Sequence, residues 1–94
     1  MKETVATVET KNGSRYIAQL CKHFGHKAEA RYDEASGDVD FGFGRCELRA
    51  EPDRLTLRGV AQDDAGLARL EEVVGGHLER FAWKETPAIN WSRG

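Results

Sequence analysis

The feature that most constrains the fold is a set of four short segments between residues 28 and 58. In each segment apolar and polar residues alternate. A two-residue period is typical of a β-strand that buries one face. The sequence therefore predicts four consecutive strands. Their apolar positions are Ala28, Ala30 and Tyr32; Val39 and Phe41; Cys46, Leu48 and Ala50; and Leu55 and Leu57.

The turns between these segments suggest a register. Four-residue loops at 34–37, 42–45 and 51–54 would place the apolar residues of all four strands on one side of the sheet. A slip by one residue would put them on opposite faces, so this agreement favours an antiparallel meander. The predicted partners are Tyr32 with Val39, Ala30 and Cys46 each with Phe41, Val39 with Leu48, Leu48 with Leu57, and Ala50 with Leu55.

The same register predicts a polar opposite face of the sheet. It brings residues of opposite charge together on neighbouring strands, and such pairs stabilise a sheet modestly. It also brings Asp33 next to Asp38 and Asp40 next to Glu47, so the charge pattern is imperfect. We interpret this face as solvated. The predicted ion pairs are Arg31 with Asp40, Asp38 with Arg49, and Glu47 with Arg58.

Two amphipathic helices flank the meander. Asn12 or Ser14 can cap the first, which begins near Arg15 and ends at Gly25 or Lys27, and Asp63 with Asp64 begins the second. Strands are predicted at 4–10 and at 86–91. The order β-α-β-β-β-β-α-β predicts an α+β two-layer sandwich, with both helices on one face of a mostly antiparallel sheet. The apolar stripes are Tyr16, Ile17, Leu20, Cys21 and Phe24, then Leu67, Leu70, Val74, Leu78 and Phe81.

The second helix contains a Gly75-Gly76 pair. Two glycines cost a helix interior roughly 1.5–2 kcal/mol relative to two alanines. Close packing against the first helix is the expected reason, with a kink or a partner contact as alternatives.

Length and charge narrow the class of protein. Ninety-four residues suit a single domain over 1–94. The net charge of −2 argues against a nucleic-acid partner, and no apolar run approaches the ~18 residues of a membrane span. The first residues lack the apolar core of a signal peptide, which predicts a cytoplasmic protein with Cys21 and Cys46 reduced.

The segment from Cys21 to His26 contains residue types that commonly bind metal ions, namely Cys21, His23 and His26. On a continuous helix, however, Cys21 lies ~160° from His23 and ~140° from His26, so it cannot share an ion with them. His23 and His26 can converge, because residues three apart on a helix are neighbours. Cys46 could join them from the sheet, and a complete zinc shell would require one more ligand, His77 or a carboxylate. The ordinary alternative is that Cys46 is a core residue and His23 a border residue.

Catalysis receives less support from the sequence. A Cys46 thiolate with His23 as its base would need an accessible thiol, and Cys46 is predicted to face the helices. The Gly42-Phe43-Gly44 segment lies between two strands and opens no helix, so it does not predict a phosphate-binding loop.

Several segments together resemble a bacterial family of small domains of unknown function. The resemblance implies an α+β domain without known catalytic residues. It also implies a link to iron or siderophore metabolism, since members occur alone or fused to siderophore-interacting flavoprotein domains. It directs attention to His23, His26, Lys27, Phe43 and Cys46 as candidate binding residues. The segments are 15–17, 20–27, 43–48, 67–71 and 77–81.

These observations rank three hypotheses about function. The first is a non-enzymatic accessory module that binds a small ligand or a protein partner without a cofactor. The second is a metal- or haem-binding domain that uses His23, His26 and Cys46. The third, with least support, is a thiol enzyme. The sequence leaves the oligomeric state open.

Overall fold

The computed structural model describes residues 1–94 and contains the eight elements in the predicted order. The helices are α1 (Gly13–Phe24) and α2 (Asp64–Phe81). The strands are β1 (Lys2–Glu9), β2 (Glu29–Tyr32), β3 (Ser36–Asp40), β4 (Gly44–Glu51), β5 (Arg54–Ala61) and β6 (Trp91–Arg93).

The six strands form one sheet in the order β2-β3-β4-β5-β1-β6, and all neighbours are antiparallel. Both helices cover the same face: α1 packs over β2, β3 and β4, and α2 over β4, β5 and β1. The predicted two-layer α+β sandwich is confirmed. A core of 16 buried residues fills the space between the layers, and the other face of the sheet is polar. Neither helix combines the length and the apolar character that a membrane crossing requires.

The register of the meander is partly as predicted. In the β4–β5 hairpin, Leu48 pairs with Leu57 and Ala50 with Leu55, as expected. In the two preceding hairpins the predicted register is wrong by two residues: Val39 pairs with Ala30 on one side and with Cys46 on the other. A shift of two residues preserves which face each side chain occupies.

Two aspartates explain the shift by tightening their turns. The Asp33 carboxylate accepts hydrogen bonds from the backbone N–H groups of Ala35, at 2.9 Å, and Ser36, at 2.8 Å. The Asp40 carboxylate accepts one from the N–H of Gly42, at 2.9 Å, and Gly42 has a φ of 87°. Each turn therefore closes with two residues, 34–35 and 42–43, and is centred one residue before the predicted four-residue loop.

The shift changes the partners on the polar face. The predicted Arg31–Asp40 and Asp38–Arg49 pairs are wrong, because Arg31 lies opposite Asp38 and Asp38 lies opposite Glu47. The tighter turns move each partner two residues along its strand.

Arginines compensate for these adjacent carboxylates. Arg45 pairs with Asp38 at 2.7 Å, and Arg58 contacts Glu47 at 3.2 Å, so the predicted Glu47–Arg58 pair is confirmed. Arg58 also donates to Glu3 at 2.8 Å. The polar face is thus a set of exposed ion pairs, each of which contributes little to stability.

The helix termini follow the predicted chemistry in part. The Asp63 side chain accepts a hydrogen bond from the N–H of Gly66, at 2.8 Å, and caps α2 as expected. Asn12 occupies the N-cap of α1 without a side-chain bond, and the Ser14 hydroxyl donates instead to the carbonyl oxygen of Glu34. All five residues of the predicted α1 stripe are buried.

Gly75 has a different role from the one expected. A Cβ at this position would lie 3.3 Å from Nε1 of Trp91, so the glycine lets β6 approach α2. The expectation of close packing on α1 is therefore wrong. Gly76 has open space around it and makes no such contact.

Candidate functional site

The end of α1 separates the residues of the segment from Cys21 to His26. Phe24 is buried, whereas His23 is exposed beside it. The carbonyl oxygen of Phe24 accepts hydrogen bonds from the N–H groups of Lys27, at 3.0 Å, and Ala28, at 2.8 Å. His26 and Lys27 consequently lie in the turn that follows the helix, and both are exposed.

Cys46 lies in the core and not at this surface. Its side chain has no exposed area, and burial raises the pKa of its thiol to about 12. Burial is also the main reason why the pKa of the Cys21 thiol is raised. Both cysteines are free thiols. At neutral pH the Cys46 thiol is therefore protonated and inaccessible, which disfavours it as a nucleophile.

The three candidate metal ligands are not assembled around one point. No set of three or more His, Cys, Asp or Glu side chains has a geometry that could hold a metal ion. Cys46 is enclosed between the layers, while His23 and His26 remain at the surface.

His23 instead meets His77, which the sequence suggested only as a possible further zinc ligand. The ring of His77, on α2, lies 4.6 Å from that of His23 between centroids. Nδ1 of His77 lies 2.7 Å from the carbonyl oxygen of Val73. Because the Nδ1–H donates to this carbonyl, Nε2 of His77 is the nitrogen left for another partner.

The two histidines belong to a continuous row of rings, which we call the aromatic strip. Phe43 and Phe41 stack at 5.5 Å, and Phe41 meets Phe24 edge to face at 4.9 Å. Phe24 then contacts the His77 ring at 5.1 Å. Such offset and edge-to-face contacts are the favoured arrangements of aromatic rings. The members of the aromatic strip are Phe43, Phe41, Phe24, His77, His23 and Phe81.

The aromatic strip remains open to solvent along most of its length. Phe41, Phe43, His77 and Phe81 are half-buried, and His23 is exposed. Rings held by each other and yet accessible form a surface that another molecule can cover without rearranging the core.

Each end of the aromatic strip adjoins an open depression. Beyond Phe43 lies one of about 580 Å³, lined also by Val60, Ala61 and Arg69. Beyond Phe81 lies one of about 240 Å³, lined also by Trp83, whose side chain is 66% exposed. The strip thus connects two recesses, one at either end.

Basic groups surround the aromatic strip. The guanidinium of Arg69 lies 4.2 Å above the centre of the Phe43 ring, within the range of a cation–π interaction. The pKa of His23 is lowered, first by partial burial and then by His77, His26, Arg80 and Lys27. The four groups that most affect His23 are thus basic, although the chain as a whole has a net charge of −2.

Two of the sequence-based candidates, His23 and Phe43, are members of the aromatic strip. Lys27 and His26 lie beside it and contribute charge, and Cys46 is separate. Phe41 and Phe81 were expected in the apolar stripes. The pattern shows that they are apolar but cannot show that their rings meet those of another element.

Comparisons with known proteins support the fold and the class of protein. Residues 5–92 match the family described as an uncharacterized protein conserved in bacteria, DUF2218. The NMR structure of PA4090 from Pseudomonas aeruginosa is 38% identical, with a TM-score of 0.84. The match covers 98% of this chain and 96% of that one. No curated protein shows significant similarity to the chain.

Proposed function

The chain belongs to the DUF2218 family of bacterial proteins, and we propose that it is a non-enzymatic accessory module that docks a protein partner on the aromatic strip. The observation that carries this proposal is the partial exposure of rings that form one connected row across α1, the β3–β4 turn and α2. Half-buried aromatic residues beside arginine are the composition that protein interfaces favour.

The shape of this surface favours a protein over a small ligand. Small-molecule sites enclose most of the ligand in a concave cavity. Here the depressions lie at the two ends of the aromatic strip, and its middle is an open surface. An extended partner segment can cover the row and reach a recess with a side chain.

The proposed partner belongs to cytoplasmic iron or siderophore handling. Support comes from the resemblance to domains fused to siderophore-interacting flavoprotein domains. A fused domain meets its neighbour at high effective concentration, and a docking surface on such a domain can serve that contact. The proposal includes neither a nucleic-acid nor a membrane partner, in keeping with the acidic net charge.

Titration calorimetry with the siderophore-interacting flavoprotein of the same bacterium tests the proposal. We expect saturable binding that Phe43→Ser or His23→Ser weakens at least about fivefold, since exposed aromatic anchors dominate such interfaces. The matched control is Arg49→Ser, because Arg49 is exposed on the opposite face. Absence of binding, or equal losses for Arg49→Ser, would overturn it.

A second candidate function is the binding of a transition-metal ion or haem by His23 and His77. It is favoured by the bond from Nδ1 of His77 to Val73, since metal-ligating histidines commonly donate their other N–H to a carbonyl. Two imidazoles supply only half of a tetrahedral shell. Titration with Zn²⁺ or haemin, followed by NMR of both histidine rings, tests this candidate. Signals that do not shift at stoichiometric ligand would reject it.

A further inference from the structure

We propose that the segment docked on the aromatic strip is an acidic peptide with one aromatic or aliphatic anchor, and that its binding is coupled to protonation of His23. This inference rests on the proposed function for the location of the surface. It does not depend on the partner's role in iron or siderophore handling.

The first step is the sign of the charge around His23. From its own helix end, His26 and Lys27 act on this ring, and from α2, His77 and Arg80 do so. The largest charge effects on it come from these four basic groups. A surface with basic groups of this density is complementary to a carboxylate-rich segment, and like charges in a partner would be rejected.

The second step concerns the other end of the aromatic strip. Arg69 lies over Phe43, and Arg45 lines the same depression. Asp40 and Asp63 line it too, but both carboxylates accept backbone hydrogen bonds, one in the β3–β4 turn and one at the start of α2. Arg45 is already paired with Asp38, so Arg69 is the cation there that remains to meet a carboxylate of a partner.

The third step is the anchor. The depression of about 580 Å³ beyond Phe43 includes the apolar side chains of Val60 and Ala61. Its volume suits one large apolar side chain, and binding energy in protein interfaces concentrates where such a side chain fills a recess. Carboxylates on either side of that anchor would lie along the aromatic strip, within reach of its basic neighbours.

The fourth step is the proton linkage. In the free protein, desolvation and then the basic neighbours of His23 oppose its protonation and lower its pKa. A docked carboxylate favours the charged imidazole and raises that pKa, so binding takes up protons. The extra affinity is fully present below the free-state pKa and is lost as pH rises through the bound-state pKa.

The experiment uses the whole chain and three synthetic twelve-residue peptides. One alternates Glu with Gly around a central Trp, the second replaces every Glu with Lys, and the third replaces the Trp with Gly. Binding is followed by two-dimensional ¹⁵N NMR at pH 5.5 and 7.5, where Glu stays ionised. We expect only the Glu–Trp peptide to bind with appreciable affinity, about three- to tenfold more tightly at pH 5.5, and to shift the signals of the aromatic strip.

Variants separate this inference from the proposed function. The His23→Gln protein should bind more weakly at both pH values and lose the pH dependence of its affinity, while Arg49→Gln should change neither the affinity nor its pH dependence. Equal binding of the Lys peptide, or affinity independent of pH, would overturn the inference even if the flavoprotein docks. If the peptide bound but the flavoprotein did not, the proposed link to siderophore handling would be rejected, while the aromatic strip would stand as the peptide-binding surface.

Discussion

The imidazole ring of His77 lies 4.6 Å from that of His23 and joins the middle of α2 to the end of α1. The same His23 ring contacts Phe81 at 5.9 Å. The two imidazole rings therefore lie at the contact between the helices, and protonation of His23 changes the charge at that contact.

The first prediction concerns stability between pH 5.5 and 7.5. The pKa of His23 is lower in the fold than in the unfolded chain, so the folded state binds fewer protons in this window. Stability is therefore fully present above the unfolded pKa of about 6.5 and decreases as pH falls through the folded pKa. The free energy of unfolding, measured with urea, should decrease less between pH 7.5 and pH 5.5 for His23→Gln than for the native chain.

Carboxylates do not confuse this measurement. The pKa values of Glu71 and Glu85 are lowered by hydrogen bonds, from Arg93 and Tyr16 in the first place, so both stay ionised above pH 5.5. Lys11→Gln, a change of an exposed residue on the loop before α1, serves as the control. If the free energy of unfolding changed equally with pH for His23→Gln and the native chain, the prediction would be wrong.

The second prediction concerns the reactivity of Cys46. Because burial keeps its thiol protonated, with a pKa of about 12, labelling by a thiol reagent should require unfolding. In a Cys21→Ala protein, which isolates Cys46, the labelling rate at pH 7 should therefore follow the urea dependence of global unfolding. Rapid labelling in the absence of urea would show an accessible thiol and revive the thiol-enzyme hypothesis.

The elements could be predicted from the sequence because their signals are local. The alternation from Cys46 to Leu57 identified both strands and the register of their hairpin, since the Pro52 turn is centred where the predicted loop is. The two earlier turns could not be predicted at the residue level. Their position depends on whether Asp33 and Asp40 bond to the backbone of the turn, which alternation does not encode.

The candidate site was harder to predict because its contacts join distant elements. His23 was selected for its closeness to Cys21 and His26 in sequence, yet its ring partner is His77, which lies one helix away. An alternating pattern also placed Cys46 on the inner face, but only packing determines that no path leads from it to the surface. Local patterns thus specify faces, whereas a site requires knowledge of which faces meet.

The third prediction compares the two adjacent glycines of α2. Gly76 has open space around it, so Gly76→Ala should stabilise the fold by about 0.5–1 kcal/mol through helix propensity. A Cβ at Gly75 would lie 3.3 Å from Nε1 of Trp91, so Gly75→Ala should gain less or destabilise. Thermal and urea unfolding of both variants measures the difference, and Trp fluorescence should change for Gly75→Ala alone. Equal gains would contradict the assigned contact.

The fourth prediction concerns Glu85, which follows α2 and ties it to the start of α1. Its carboxylate accepts hydrogen bonds from the Thr10 hydroxyl, at 2.9 Å, from the Asn12 amide, at 3.2 Å, and from the Tyr16 hydroxyl. Glu85→Gln replaces one of its oxygens by a donor, so the free energy of unfolding at pH 7 should fall by about 1–2 kcal/mol. Glu79→Gln, on the exposed surface of α2, is the matched control.

The same carboxylate should make the fold sensitive to acid. The hydrogen bond from Tyr16 is the largest cause that lowers the pKa of Glu85. Its stabilisation is therefore present above the unfolded pKa of about 4.3 and is lost as pH falls through the folded pKa. Between pH 5 and 3, the free energy of unfolding should decrease less for Glu85→Gln than for Glu79→Gln. Parallel curves would show that Glu85 does not hold the end of α2 against α1.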